Sequence, residues 1–115
     1  HLAYSLRLLH LSDNKLEKIR ENYFSKLSNL VELYLGKNLI SSIDIFSFKS
    51  LTKLKVLELN DNCLFYLNEY LFKNLTNLEY INLNNNLLKK IEITYFQSQK
   101  YSLRKLHLAN NRLEK

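Results

Sequence analysis

Five leucines, Leu6, Leu30, Leu54, Leu78 and Leu103, follow one another at intervals of 24, 24, 24 and 25 residues. A fixed long period constrains a chain more than any local propensity, because each repeat must build the same unit and hand the chain on to the next. With each leucine counted as position one, positions four and six are apolar throughout: Leu9 and Leu11, Leu33 and Leu35, Leu57 and Leu59, Ile81 and Leu83, Leu106 and Leu108. Position nine is always asparagine (Asn14, Asn38, Asn62, Asn86 and Asn111), and position eleven is Leu16, Ile40, Leu64, Leu88 and Leu113. Position fourteen is Ile19, Ile43, Leu67 and Ile91, and position nineteen is Phe24, Phe48, Phe72 and Phe96. Position twenty-two is Leu27, Leu51 and Leu75, and the pattern breaks there only in the longer fourth repeat.

This spacing dictates local structure. Positions four and six point to one side of an extended segment and position five to the other. Each repeat therefore predicts a short strand, at 8–11, 32–35, 56–59, 80–83 and 105–108. Returns of equal length bring every strand beside the last and stack them as one parallel sheet. The chain has one glycine and no proline in 115 residues, so its many turns need another device. Fifteen asparagines supply it. An amide at position nine can donate to and accept from backbone groups that the turn leaves unpaired, within one coil and between coils. The phenylalanines of position nineteen are expected to stack as a second column at the back of the core, each burial contributing ~1.5–3 kcal/mol.

The pattern LxxLxLxxNxLxxIxxxxFxxL resembles the typical, 24-residue class of leucine-rich repeat. That class is found in Toll-like receptors, small leucine-rich proteoglycans, Slit-like guidance proteins and insect immune proteins. The resemblance implies an α/β fold: a right-handed solenoid bent into a horseshoe arc, with a concave parallel sheet of about five short strands. Turns and short helices would form the convex side. It also implies an extracellular setting and a protein-binding scaffold of a receptor, adhesion or innate-immune protein. The Gly-x-Ile-Pro signature of plant repeats is missing, as are the cysteine-rich caps with which the family closes its arrays.

One array over residues 1–115, cut from a longer one, is the expected organisation. Residues 4–18 match residues 101–115 at eleven of fifteen positions, an offset of four repeats, which points to duplication of a four-repeat block. Uncapped solenoid ends are expected to fray and to promote self-association.

The candidate binding residues are the strand positions that the core does not claim. Position three reads Leu8, Glu32, Val56, Tyr80 and Lys105; position five reads His10, Tyr34, Glu58, Asn82 and His107. The concave face is the commonest ligand surface in the class that the pattern resembles, and contacts are expected to centre on Tyr34, Val56, Glu58, Tyr80 and Asn82. Leu8, Val31, Tyr34, Val56 and Tyr80 place apolar and aromatic groups where the fold does not require them. Rigid tyrosines of this kind anchor protein interfaces, although scattered apolar surface residues are also ordinary. Arg7, Lys37, Lys55, Arg104 and Lys105 on this face are matched by Asp13, Glu32, Glu58, Asp61 and Glu79, so the net charge of +6 lies on the turns and the convex side. A charge-balanced, partly aromatic groove suits a protein and not a polyphosphate.

Other chemistry has little to stand on. His10 and His107 share a column but lie four strands apart, about 19 Å at ~4.8 Å per strand, which is too far for a shared metal or a catalytic dyad. Cys63 stands alone, which excludes an internal disulfide and a cysteine zinc site within the chain. No glycine-rich phosphate loop, EF-hand or zinc spacing occurs. No enzyme activity, catalytic residue, metal, cofactor or small-molecule substrate is therefore expected. No apolar run approaches the ~20 residues that span a bilayer.

The sequon Asn74-Leu75-Thr76 falls on the convex turn of the third repeat and marks Asn74 as a possible N-glycosylation site. A free cysteine is uncommon outside the cell, which keeps an intracellular or bacterial interaction scaffold as the alternative. Nucleic acid ranks third as a partner, through Lys15, Lys18, Lys89, Lys90, Arg112 and Lys115. Its mark would be a steep dependence of affinity on salt.

Overall fold

The computed structural model describes residues 2–114. Lys115, one of the basic residues considered above, lies outside them. Along the chain run a short helix α1 (Leu2–Ser5) and the strands β1 (Leu8–His10), β2 (Lys18–Ile19), β3 (Glu32–Tyr34), β4 (Ser42–Ile43), β5 (Val56–Glu58) and β6 (Tyr80–Asn82). A 3-10 helix (Ile93–Gln99) and β7 (Lys105–His107) follow. Strands β1, β3, β5, β6 and β7 form one sheet in that order, every pair parallel. The register aligns Leu9, Leu33, Leu57, Ile81 and Leu106, so position four of each coil sits beside position four of the next. The result is a solenoid of about four turns.

The strands stand where the period predicts them but are three residues long, without position six. The chain turns there because position eight takes a left-handed backbone in every coil, with φ of 60° at Asp13, 56° at Lys37, 57° at Asp61, 58° at Asn85 and 56° at Asn110. Asp and Asn tolerate this region better than other residues with a Cβ. Four of the five positions carry one of them, and Lys37 is the exception. A turn that glycine would ordinarily make is thus made by short polar side chains.

The asparagines of position nine lock the turn. Asn62 donates from Nδ2 to the carbonyls of Leu59 and Asn60 in its own coil and of Leu35 in the coil before. Its Oδ1 accepts the backbone N–H of Ile40, again from the coil before, at 3.0 Å. Asn38, Asn86 and Asn111 repeat this arrangement. Leu35, Leu59 and Leu83 each offer one carbonyl to two such amides, their own and the next. Buried polar groups are costly only when unpaired, and these are paired on both sides. Asn14, in the first coil, is exposed and donates only to Leu11 and Ser12.

Behind the sheet the core is almost wholly leucine, isoleucine and phenylalanine. Phe24, Phe48, Phe72 and Phe96 are buried and stack at centroid distances of 6.3, 6.5 and 5.6 Å, with ring planes within 20°. Parallel strands lie only ~4.8 Å apart. Each coil is thus thicker at the back than at the sheet, and the stack bends with the sheet on its inner side.

Three features at the back depart from the bare repeat. Strands β2 and β4 pair in parallel, Lys18 beside Ser42 and Ile19 beside Ile43, and this second sheet joins coils one and two alone. In coil four the back forms the 3-10 helix instead. The broken position twenty-two of that coil is Gln99, which is fully buried and donates from Nε2 to the carbonyls of Phe72 and Leu75 at 2.6 and 2.9 Å. The preceding coil thus offers two acceptors to the amide N–H groups of this polar residue in a leucine site, while its Oε1 is buried without a partner among the described residues.

Candidate binding face

The core leucines of position four fix which side of each strand faces out, so positions three and five form two straight columns. Leu8, Glu32, Val56, Tyr80 and Lys105 align in one; His10, Tyr34, Glu58, Asn82 and His107 align in the other. All ten residues named from the repeat therefore share one face. The middle of that face is half-buried, whereas Leu8, His10 and Lys105 at its ends are exposed.

Side chains brace one another across the coils. The ring of Tyr34 stacks on His10 at 4.3 Å, 11° from parallel, and its hydroxyl donates to the Glu32 carboxylate. That hydrogen bond, with partial burial and the negative charges of Glu32 and Glu58, pushes the Tyr34 phenol up to about 12. Tyr80 tilts against His107, centroids 5.2 Å apart and planes 52° apart. Lys55 and Glu79 approach to 4.0 Å on exposed side chains, a pair of small energetic weight. The two histidines end up at opposite ends of one column, each against a tyrosine rather than near the other. Among the described residues no group of three or more His, Cys, Asp or Glu is placed to hold a metal ion. Cys63 is a free, half-buried thiol.

Asp13, Lys37 and Asp61, charges of the face, stand at position eight, which takes the left-handed backbone in every coil; the column of Asp and Asn in the sequence is its signal.

A second aromatic set lies away from the sheet. Phe46, Phe65, Tyr66 and Tyr70 are each more than half exposed. Phe65, Tyr66, Lys89, Lys90, Glu92 and Tyr95 help line a groove of about 350 Å³ between coils three and four. The repeat could not reveal it, because its positions twelve and thirteen carry Glu, Lys or Ser in other coils. Asn74 is exposed on the same back surface, in coil three.

The leucine rich repeat family model matches residues 4–64 and 32–88. Over 41 residues, 36% of the chain, the sequence is 56% identical to podocan of Mus musculus, of which it covers 7%. Among solved structures, a chain of the TLR13–ssRNA13 complex aligns with a TM-score of 0.73 and 31% identity, over 77% of this chain and 13% of that one. The chain thus spans only a small part of either relative.

Proposed function

Because the chain belongs to the leucine-rich repeat family, a scaffold for protein interaction, we propose that its concave sheet receives a protein ligand. The parent would be an extracellular receptor or a secreted relative. One observation carries this reading above the others: the two columns of the sheet present tyrosines already held in place. Tyr34 is braced by His10 and Glu32, and Tyr80 rests against His107. Side chains fixed before binding lose less freedom on association, and tyrosine is a favoured anchor of interfaces. The balanced charge of the face fits a partner of mixed surface. The extracellular setting is supported by the resemblance to Toll-like receptor repeats and by the likeness to podocan and to the TLR13 chain.

Alanine at Tyr34 or Tyr80 should weaken binding of the protein ligand by ~2 kcal/mol each, about 30-fold in Kd, with the melting temperature nearly unchanged. Normal binding by the double variant would move the site off the sheet.

A second reading follows from the groove between coils three and four. Phe65 and Tyr66 beside Lys89 and Lys90 combine aromatic faces on which bases stack with cations for phosphates. The TLR13 chain was solved with single-stranded RNA. Glu69 and Glu92 line the same groove, however, and Lys90 is already paired with Glu92 at 3.3 Å. This reading therefore ranks below the first. A fall of several orders of magnitude in RNA affinity between ~50 and ~200 mM salt would promote it.

A further inference from the structure

Coils three and four enclose another hollow on the convex side, of about 360 Å³. Tyr70 and Tyr95 form its aromatic walls, and Glu69, Lys73, Thr94, Gln97 and Ser98 its polar rim. Tyr70 is 58% exposed, a large ring that no core contact requires. Pyranose rings have C–H faces that pack on aromatic rings and hydroxyl edges that need donors and acceptors. A mostly apolar hollow with a few convergent polar groups offers both.

The chain itself points to the source of such a ring. Asn74, of the sequon Asn74-Leu75-Thr76, follows the rim residue Lys73 directly. Ser98, also on the rim, lies 24 residues further on and so occupies the matching place in the next coil. Coils three and four are close together here, since Phe72 and Phe96, two positions earlier in each, stack at 5.6 Å. Asn74 and Thr76 are exposed. The amide of Asn74 takes part in none of the side-chain hydrogen bonds recorded among the described residues, whereas the nearby Asn77 is tied to the carbonyl of Thr52 at 2.8 Å. Leu75 between them is buried, which is no obstacle to an attachment made on the emerging chain.

We propose that Asn74 carries an N-linked glycan and that the hollow walled by Tyr70 and Tyr95 seats its innermost sugars. In the attachment, Nδ2 of Asn74 bonds to C1 of an N-acetylglucosamine carried on a polyprenyl pyrophosphate. The C1–oxygen bond to pyrophosphate breaks, the pyrophosphate leaves with the electron pair, and the amide loses one proton. Seated there, the glycan covers the tyrosines and leaves the concave sheet open. The proposal rests on the extracellular reading given above.

The test is secretion of the chain from glycosylating cells behind a leader peptide, with peptide mass spectrometry at Asn74. Nuclear Overhauser contacts are then sought between a 13C-labelled glycan and the rings of Tyr70 and Tyr95. The expected result is an occupied Asn74, contacts from the first two sugars to both rings, and a melting temperature ~3 °C above that of the unglycosylated Thr76→Ala variant. In a Tyr70→Ser background, a surface change, the contacts to that wall should vanish and the difference in melting temperature should shrink. A bare Asn74 in the secreted protein overturns the site. An attached glycan without ring contacts or a thermal difference overturns the seat. Because the leader sends the chain to the glycosylating compartment whatever its natural location, neither failure bears on the extracellular reading. That reading stands or falls on whether the natural protein is found outside the cell.

Discussion

The front and the back of the same coils follow different rules. At the front every coil copies the last: a three-residue strand, a left-handed residue at position eight, an asparagine rung. At the back, coils one and two pair as β2 and β4, coil three passes without a strand and coil four winds a 3-10 helix. The difference has a physical origin. Strand ladders and amide rungs tie the front backbone to one geometry, because any departure leaves buried polar groups unpaired. The back is tied locally, by the two-residue β2–β4 ladder and by bonds such as that of Asn77 to Thr52, and otherwise has to fill the core at positions fourteen, nineteen and twenty-two, where Gln99 even substitutes for leucine. Variation at the front is therefore confined to outward side chains, whereas at the back it reaches the backbone and opens grooves.

The largest effect is expected at the back, in the phenylalanine column. Phe72 lies between Phe48 and Phe96 and is almost fully buried, and Phe72→Ala should cost ~3–5 kcal/mol in denaturant unfolding. A loss below ~1 kcal/mol would show that the back collapses around the gap and that the front alone carries the fold.

The next test compares two asparagines at the same position. Asn62→Ala removes an amide bonded to three carbonyls and leaves the Ile40 N–H without its acceptor, for about 2–3 kcal/mol. Asn14→Ala, exposed and bonded only within its own coil, should cost roughly 0.5–1 kcal/mol. Equal losses would mean that the bonds between coils add nothing.

A smaller change should go the other way. Lys37 alone among the position-eight residues is neither Asp nor Asn, and Lys37→Asn should gain roughly 0.5–1 kcal/mol by relieving its left-handed backbone. An unchanged midpoint would show that the uniform front geometry stores no strain at Lys37.

The smallest effect concerns Tyr34. Its phenol, at 10.0 when unperturbed, is raised to about 12 in the fold. The fold thus favours the neutral form. Its stabilising contribution is complete below pH 10 and is lost as the pH climbs toward 12. Ultraviolet titration should find a late phenol that is absent in Tyr34→Phe and returned toward the ordinary range by Glu32→Gln.

Features fixed by apolar spacing were legible in the sequence. Leu9, Leu33, Leu57, Ile81 and Leu106 announce the sheet because only one register keeps them all inside. Once that register is set, the two outward columns from Leu8 to Lys105 and from His10 to His107 follow. The bracing of Tyr34 was not legible, since His10 and Glu32 reach it through side-chain conformations that the period does not dictate. The left-handed position eight was legible in part, as a column of Asp and Asn that Lys37 blurs. The pair β2–β4 is two residues deep, too short to show a period of two. The exposed aromatics at the back follow no period, because Tyr70 and Phe46 stand where the other coils have Thr94 and Asn22.

The asparagine rungs also have a direction. The side chain of Asn62 closes its bonds on its own coil and on the one before, and none of them waits for the coil that follows. Chains leave the ribosome amino end first. Each newly made coil of this protein therefore finds the partners of its asparagine already in place, as a course of bricks finds the course beneath. The array can set as fast as it is synthesised, since each coil is held by those already made.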